Sequence, residues 1–180
     1  MYEVDERDRV VELENVPQSS VGAPIPCVLA DEHRVVLAYY MQDHVPEWDR
    51  KTVRAVGPTG GDEGVALVRF NFCRVHMFGP PNDEAFAGHP LAARGLSPYA
   101  AFRVEESSWI RRLERMNSVH RHHRPETFWS LLHLIFAFHD STFECVCRGF
   151  DVKPTHGSIK SVVPEMLELL DWDKAYDQMG

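Results

Sequence analysis

The segment HLIFAFHDSTFECVC (133–147) restricts the fold more than any other part of this chain. Apolar and polar residues alternate along two short runs, a pattern that favours two antiparallel strands over a helix. A two-residue turn at Ser141 and Thr142 would pair His139 with Glu144 and would keep both strands in phase. One face of this hairpin would then be apolar, with Leu134, Phe136, Phe138, Phe143, Cys145 and Cys147. The other face would carry His133, His139, Glu144 and Arg148.

Further strands are predicted at 34–41, at 65–78 and at 101–106, where β-branched and aromatic residues are frequent. Apolar residues at helical spacing predict a helix over 107–120, with Ser107 or Ser108 as its N-cap and His120 continuing the apolar stripe. A short helix is predicted at 125–132, and an amphipathic helix or docked arm at 162–172. The predicted fold class is therefore α+β, a mainly antiparallel sheet of about five strands with two or three helices packed on one face.

The domain organisation follows from length and local composition. A chain of 180 residues is the size of one domain. Residues 1–26 are charged at the start and rich in turn-forming residues at the end, so they are predicted to form an acidic arm, mobile or loosely docked. Residues 27–180 are predicted to form a single globular α+β domain, with a long connection at 44–64.

Charge and hydropathy exclude several classes of function. A net charge of -8 argues against nucleic-acid binding, which needs a basic surface, and fits a basic partner. No apolar run approaches the roughly 20 residues of a membrane span, and the N-terminus lacks a signal-peptide pattern. We therefore expect a cytoplasmic protein that contacts no membrane. The four cysteines are too scattered for a disulfide framework and are predicted to be buried thiols.

The first candidate site is the segment HMFGPPNDEAFAGHP (76–90). Pro90 at a first helical position would place His89 at an N-cap, where the helix dipole disfavours a charged imidazole. Such an imidazole could act as an electrophile, a metal ligand or an anion contact. Equally, His89 could cap the helix and nothing more.

Within that segment, EAFAGHPLAA (84–93) resembles the F-x-GHP-x-x-x-A motif of the phenazine-biosynthesis-F-like isomerases, relatives of diaminopimelate epimerase. In that family the glycine, the histidine and the helix start lie beside the substrate. The resemblance covers Phe86, Gly88, His89, Pro90 and the alanines that follow, about ten residues of the chain. The family proteins are longer, built from two similar halves, and use an upstream glutamate that has no counterpart here. No activity is carried over.

The second candidate site is FHDSTFE (138–144). The hairpin would place His139 opposite Glu144, with Asp140 in the turn, and a carboxylate that orients an imidazole is what a general base or a metal ligand requires. His76, at the end of another strand, could join His139 and Glu144 to bind zinc, iron or manganese. The structural alternative is a cross-strand ion pair on a solvated face.

The third candidate is VHRHHRPE (119–126), which could bind an anion or chelate a metal. Its structural alternative is a solvated helix end. His120 is expected to point inward.

Two hypotheses about function follow. In the first, the protein is a small soluble enzyme, a hydrolase for example, that uses histidine–carboxylate chemistry on a small anionic substrate, with or without a divalent metal ion. Its catalytic residues would be His89, His139, Glu144 and Asp140, and its metal ligands His76, His139 and Glu144. No motif for a nucleotide cofactor is present. In the second, it is a non-catalytic binding or regulatory protein, such as an immunity-type or accessory subunit, with a protein partner that contacts the arm or the tail at 171–177. The sequence does not indicate an oligomeric state.

Overall fold

The computed structural model describes residues 2–42 and 56–171, and these ranges contain nine strands and three helices. The strands are β1 (Arg9–Glu12), β2 (Cys27–Ala30), β3 (Val35–Tyr40), β4 (Glu63–Asn71), β5 (Val75–Gly79), β6 (Ala101–Glu105), β7 (Leu132–Ala137), β8 (Thr142–Cys147) and β9 (Gly149–Gly157). The helices are α1 (Ser108–Asn117), α2 (Glu126–Trp129) and α3 (Ile159–Leu169). Most of the predicted connection at 44–64 and nearly all of the tail lie outside the described residues.

The strands form two antiparallel sheets, so the predicted single sheet of about five strands with helices on one face is wrong. One sheet has five strands in the order β1-β6-β7-β8-β5, and the other has four in the order β2-β3-β4-β9. The prediction failed because β1 and β2 are only four residues long, and because β9 has no large apolar residue after Val152. The antiparallel character was predicted correctly.

The two sheets pack face to face through one apolar layer. β3 and β4 contribute Leu37, Tyr39, Val68 and Phe70, while β7 and β8 contribute Leu134, Phe136, Phe143 and Cys145, all fully buried. Every residue of β3 is buried because its other face meets α3, where Met166 is completely covered. This explains why β3 reads as a continuous apolar run rather than an alternating one.

The outer face of the five-stranded sheet is covered differently from that of the four-stranded sheet. The N-terminal residues, the loop between β5 and β6, and α1 all lie against it, and their apolar contacts include Tyr2, Phe86, Leu91 and Trp109. This layer encloses polar side chains as well, and the candidate site lies within it. No helix among the described residues is long and apolar enough to cross a membrane.

The 133–147 hairpin is present, but its predicted register is wrong. Ile135 pairs with Glu144 and Phe136 with Phe143, because a four-residue connection, not a Ser141–Thr142 turn, joins β7 to β8. The difference in register is even, so each strand residue keeps its predicted face. The predicted apolar face is confirmed, since all six of its members lie between the two sheets.

The predicted strand at 65–78 is two strands in different sheets. The chain leaves β4 at Asn71 and enters β5 at Val75, and Phe72 adopts a positive φ of 49° at the crossing. The break between β4 and β5 was not predicted because apolar residues are frequent on both sides of it. Ala66, Val68 and Phe70 do share one face, as predicted.

Residues 2–26 lie along both sheets. Tyr2 and Asp8 are buried, β1 pairs with β6, and Ser19 forms a bridge with Met41. The predicted helix at 107–120 is confirmed as α1 with Ser107 as its N-cap, and the C-terminal helix begins earlier than predicted, at Ile159. Cys73, Cys145 and Cys147 are buried thiols as predicted, whereas Cys27 is partly exposed.

Candidate functional site

A buried carboxylate, Glu144, is the centre of the polar cluster on the outer face of the five-stranded sheet. Because residues alternate along β8, Phe143 and Cys145 point between the sheets while Glu144 points to the opposite face. His133 of β7 lies on that same face, as the sequence predicted. Glu144 is 3% exposed and His133 is not exposed at all, so both lie out of contact with water.

Three side chains contact the Glu144 carboxylate. His89 Nε2 lies 2.7 Å from Oε1. His133 Nε2 lies 3.1 Å from Oε2, and the Tyr2 hydroxyl donates to the same oxygen at 2.9 Å. A buried charge is tolerated only when donors surround it in this way. The cluster therefore requires the N-terminus, the β5–β6 loop and the hairpin together.

The partners of each ring define the tautomers. His89 Nδ1 accepts a hydrogen bond from the Leu91 backbone N–H at 3.1 Å, so its proton is on Nε2, facing Glu144. His133 Nδ1 lies 2.8 Å from Ser107 Oγ, and its Nε2 faces Glu144. With Nε2 protonated, His133 donates to the carboxylate and accepts the Ser107 hydroxyl proton at Nδ1.

Opposing effects set the ionisation of the pair. Burial raises the pKa of Glu144, but the hydrogen bonds from His133 and His89 outweigh it and hold the pKa at about 2. Burial lowers the pKa of His133, against the opposite influence of Glu144. Glu144 is accordingly an anion and His133 an uncharged imidazole at neutral pH.

Ser107 connects this cluster to the molecular surface. Its hydroxyl accepts from the Ile110 backbone N–H at 3.2 Å as the N-cap of α1, and this leaves its own proton for His133. Ser107 also lines a cavity of about 540 Å³. The rest of the lining combines apolar and charged side chains, notably Ile110, Phe128, Trp129, Arg103 and Arg111.

A second cluster joins the β5–β6 loop to the hairpin turn. Asp83 Oδ2 lies 2.8 Å from His139 Nδ1 and accepts a short hydrogen bond from Tyr99, while the Asp83 backbone N–H donates to the His139 carbonyl at 2.9 Å. The hydrogen bond between His139 and Asp83 raises the pKa of His139. The hydrogen bond between Tyr99 and Asp83 raises the pKa of Tyr99 to about 12. His139 Nε2 faces solvent, with Asp140 Oδ1 4.0 Å away.

The structure divides the predicted site residues between these two clusters. Glu144 contacts His89 rather than His139, because the hairpin register differs from the predicted one. His139 and Asp140 lie in the turn, together with Asp83. His76 lies on β5, opposite Cys145 of β8, and its ring stacks on Phe143. Because Cys145 and Phe143 face away from Glu144, His76 lies on the other face of the sheet from Glu144.

The predicted metal ligands His76, His139 and Glu144 are therefore not brought together. Within residues 2–42 and 56–171, no three His, Cys, Asp or Glu side chains are grouped in a way that could hold a metal ion. His89 also differs from its predicted N-cap position. It ends a 3-10 turn at Phe86–Gly88, and the next such turn starts only at Ala92.

The histidines at 120–123 are on the surface. His120, predicted to point inward, is exposed, because α1 ends at Asn117 and the apolar stripe ends with it. His123 Nε2 pairs with Glu114 at 2.6 Å.

Comparison of the chain with protein-family models, curated proteins and solved structures finds no match. The resemblance of residues 84–93 to the isomerase motif thus gains no support beyond those ten residues. Any function for this chain has to be argued from its own geometry.

Two members of the buried cluster were missed as functional residues. The sequence predicts Ser107 as an N-cap. Its contact with His133 could not be predicted, because the two residues are 26 positions apart. Tyr2 gave no signal, since its partner Glu144 is 142 residues away. His133 did give a signal, namely its place on the polar face with Glu144.

Proposed function

We propose that this protein is a small hydrolase that uses histidine–carboxylate chemistry, with Ser107 as the nucleophile, His133 as the general base and Glu144 as the group that positions His133. The observation that carries the proposal is the continuous chain from Ser107 Oγ to His133 Nδ1 at 2.8 Å and from His133 Nε2 to Glu144 at 3.1 Å. Serine, histidine and carboxylate in this order are the parts of an activated serine nucleophile.

The reaction is acyl transfer from an ester to water. Ser107 Oγ bonds to the carbonyl carbon and gives its proton to His133 Nδ1. The bond to the alcohol then breaks, and the alcohol leaves with the proton from His133. Water attacks the acyl carbon, its proton passes to His133 Nδ1, and the acyl–oxygen bond breaks as Ser107 Oγ regains a proton.

The environment of the cluster supports this assignment. His133 is uncharged at neutral pH, as a base must be, and the protonated ring would be stabilised by the ionised Glu144. Arg103 lines the same cavity. One terminal nitrogen of its guanidinium donates to Glu105, while its buried Nε has no hydrogen-bond partner among the described residues. A guanidinium there would stabilise the oxyanion that develops on the substrate.

The cavity lining favours a small ester with an apolar acyl group and a negative charge. Phe128, Trp129 and Ile110 offer apolar contact. Three arginines (Arg9, Arg103 and Arg111) outnumber the two glutamates (Glu105 and Glu106) in the lining, so its net charge is positive. A volume of about 540 Å³ suits a small ligand. The proposal assigns no step to a metal ion, because the described residues offer no ligand group for one.

The test is covalent labelling with a fluorophosphonate, which reacts with activated serines as fluoride leaves. We expect mass spectrometry to find the adduct on Ser107, with no adduct in Ser107→Ala or in Ser107→Gly, which retains most of the cap strength. Ser108→Ala is the matched control, since Ser108 is an equally buried neighbour whose Oγ has no partner among the described residues. Its labelling should equal that of the wild type.

Folded wild-type protein that stays unlabelled would refute the hydrolase and leave the non-catalytic alternative. Labelling that persists in Ser107→Gly would place the nucleophile elsewhere. His139→Ala separates the two histidine clusters: because His139 contacts Asp83 rather than Ser107, this variant should be labelled at the wild-type rate.

A further inference from the structure

The segment 108–129, which consists of α1, α2 and their connection, exposes several large apolar side chains. Among the exposed large apolar side chains of the described residues, the three with the greatest exposure all lie here: Val119 at 91%, Trp129 at 78% and Met116 at 65%. Isolated exposed apolar residues are ordinary, but three in one short segment are characteristic of an interaction surface.

The same segment is basic in an acidic protein. It contains five arginines, no lysine and two glutamates, whereas the whole chain carries a net charge of -8. One glutamate, Glu114, is already paired with His123. Four of the arginines are exposed: Arg112, Arg115, Arg121 and Arg124. We call these four, with Met116, Val119 and Trp129, the α1–α2 surface.

Contacts and cavities connect the part of this surface on α1 with the part on α2. The pairing of His123 with Glu114 brings the α1–α2 connection back along α1, and the His123 ring lies 6.0 Å from that of Phe128. A second cavity of about 520 Å³ is lined by Arg112, Arg115 and Met116. Two acidic residues, Glu3 and Asp5, also line it, and Asp5 is already paired with Arg111. Arg111 lines both this cavity and the one beside Trp129, so the two adjoin.

We propose that the α1–α2 surface binds a short acidic segment of another protein, one that carries both carboxylates and large apolar side chains. Tryptophan, methionine and arginine are the residues enriched at protein–protein interfaces, and lysine is depleted there. An anionic membrane fits less well, because an extended surface would also meet the negative charge of the rest of the molecule. The proposal does not rest on the proposed hydrolase activity.

Selection from a random library of displayed 12-residue peptides tests this binding. We expect the recovered peptides to combine Asp or Glu with aromatic or aliphatic residues. A fluorescent synthetic copy should bind about tenfold or more weakly to Arg115→Glu and to Val119→Asp, and more weakly in high salt. Lys160→Glu is the matched control, because Lys160 is an exposed cation on α3, away from this surface, and it should leave binding unchanged.

Recovered peptides that are neutral or basic would overturn the proposal, as would acidic peptides that bind Arg115→Glu as tightly as the wild type. Association with phosphatidylserine vesicles in the absence of any peptide binding would assign the surface to a membrane instead. Fluorophosphonate labelling of Arg115→Glu should match the wild type, so failure of this proposal and failure of the hydrolase are separate results.

Discussion

At the scale of single residues, Glu144 determines the chemistry of the outer layer. An ionised carboxylate with 4% of its side chain exposed is stable only because His89, His133 and Tyr2 donate to it. Removal of the charge leaves those donors with a poorer acceptor, and removal of a donor leaves the charge under-satisfied. Both changes lower the free energy of unfolding, because no water is available to replace the lost hydrogen bond.

We expect Glu144→Gln to lower the free energy of unfolding by about 2–4 kcal/mol. The amide N–H groups replace one carboxylate oxygen and then face either the His89 N–H, or the His133 N–H together with the Tyr2 hydroxyl. Glu114→Gln, which removes a more exposed pairing with His123, should cost less than about 1 kcal/mol. Urea unfolding of both variants gives the comparison. Equal losses would mean that Glu144 is better solvated than the structure indicates.

The same two groups predict a dependence of stability on pH. Both His133 and Glu144 have pKa values lowered by folding, the latter from 4.5 to about 2, so the folded protein binds fewer protons than the unfolded chain. The free energy of unfolding should therefore fall as pH drops below 6.5, through His133, and fall again between 4.5 and about 2, through Glu144. Urea midpoints from pH 8 to pH 3 measure this.

His139 acts in the opposite direction, because its pKa is raised. Its contribution is complete below 6.5 and is lost as pH rises through the folded value. Since that imidazole is 41% exposed, the effect is small. The acid-side loss of stability should persist in His139→Ala, and its disappearance there would contradict the assignment to the buried cluster.

The sequence predicted only some of the contacts in the Glu144 cluster. Alternation along 133–147 placed His133 and Glu144 on one face correctly, because an even change of register preserves faces. The partner of Glu144 was predicted as His139 and is His89, because the turn length could not be read from Ser141 and Thr142. Contacts between residues far apart in sequence, such as Tyr2 with Glu144, leave no local trace.

At the scale of elements, clear sequence patterns predicted α1 and the central strands. The strands at the edges of the sheets have weaker patterns and were not predicted. α1 followed from its apolar spacing and its serine cap, and β3 from its unbroken apolar run. β1 has only four residues, three of them exposed, and β9 has no large apolar residue after Val152. The break between β4 and β5 was missed because both sides are equally apolar.

α3 offers a test of helix packing with adjacent residues. Met166 is completely buried against β3 and β4, while Leu167 is 56% exposed. Met166→Ala should cost about 2–4 kcal/mol of unfolding free energy, and Leu167→Ala about 0.5 kcal/mol or less. Chemical denaturation measures both, and similar costs would show that α3 packs with a different face inward.

At the scale of the whole molecule, residues 2–26 contribute to both layers. Tyr2 packs on Trp109 with ring centroids 4.9 Å apart, and Leu13 and Val16 pack against the layer between the sheets. The prediction of a separate arm arose from charge and turn residues, which do not reveal that β1 pairs with β6.

Deletion of residues 1–26 therefore tests the predicted domain boundary at residue 27. We expect the truncated chain to bind a hydrophobic dye and to lose the dispersed amide spectrum of a folded protein, because the outer layer and Glu144 become exposed. The full-length Tyr2→Phe variant is the control, since it keeps the stacking and loses only the hydroxyl. A native spectrum from the truncated chain would support an independent domain at 27–180.

The contact between Tyr2 and Glu144 also has a consequence for the order of events during synthesis. Tyr2 leaves the ribosome 142 residues ahead of its partner Glu144. Until then the Tyr2 hydroxyl bonds to water, and Glu144 likewise emerges with water as its partner. The carboxylate can lose that water only when Tyr2, His133 and the loop bearing His89 have come together around it, so closure of the outer layer is a late step of folding. Glu144 therefore stays hydrated until most of the chain has been synthesised.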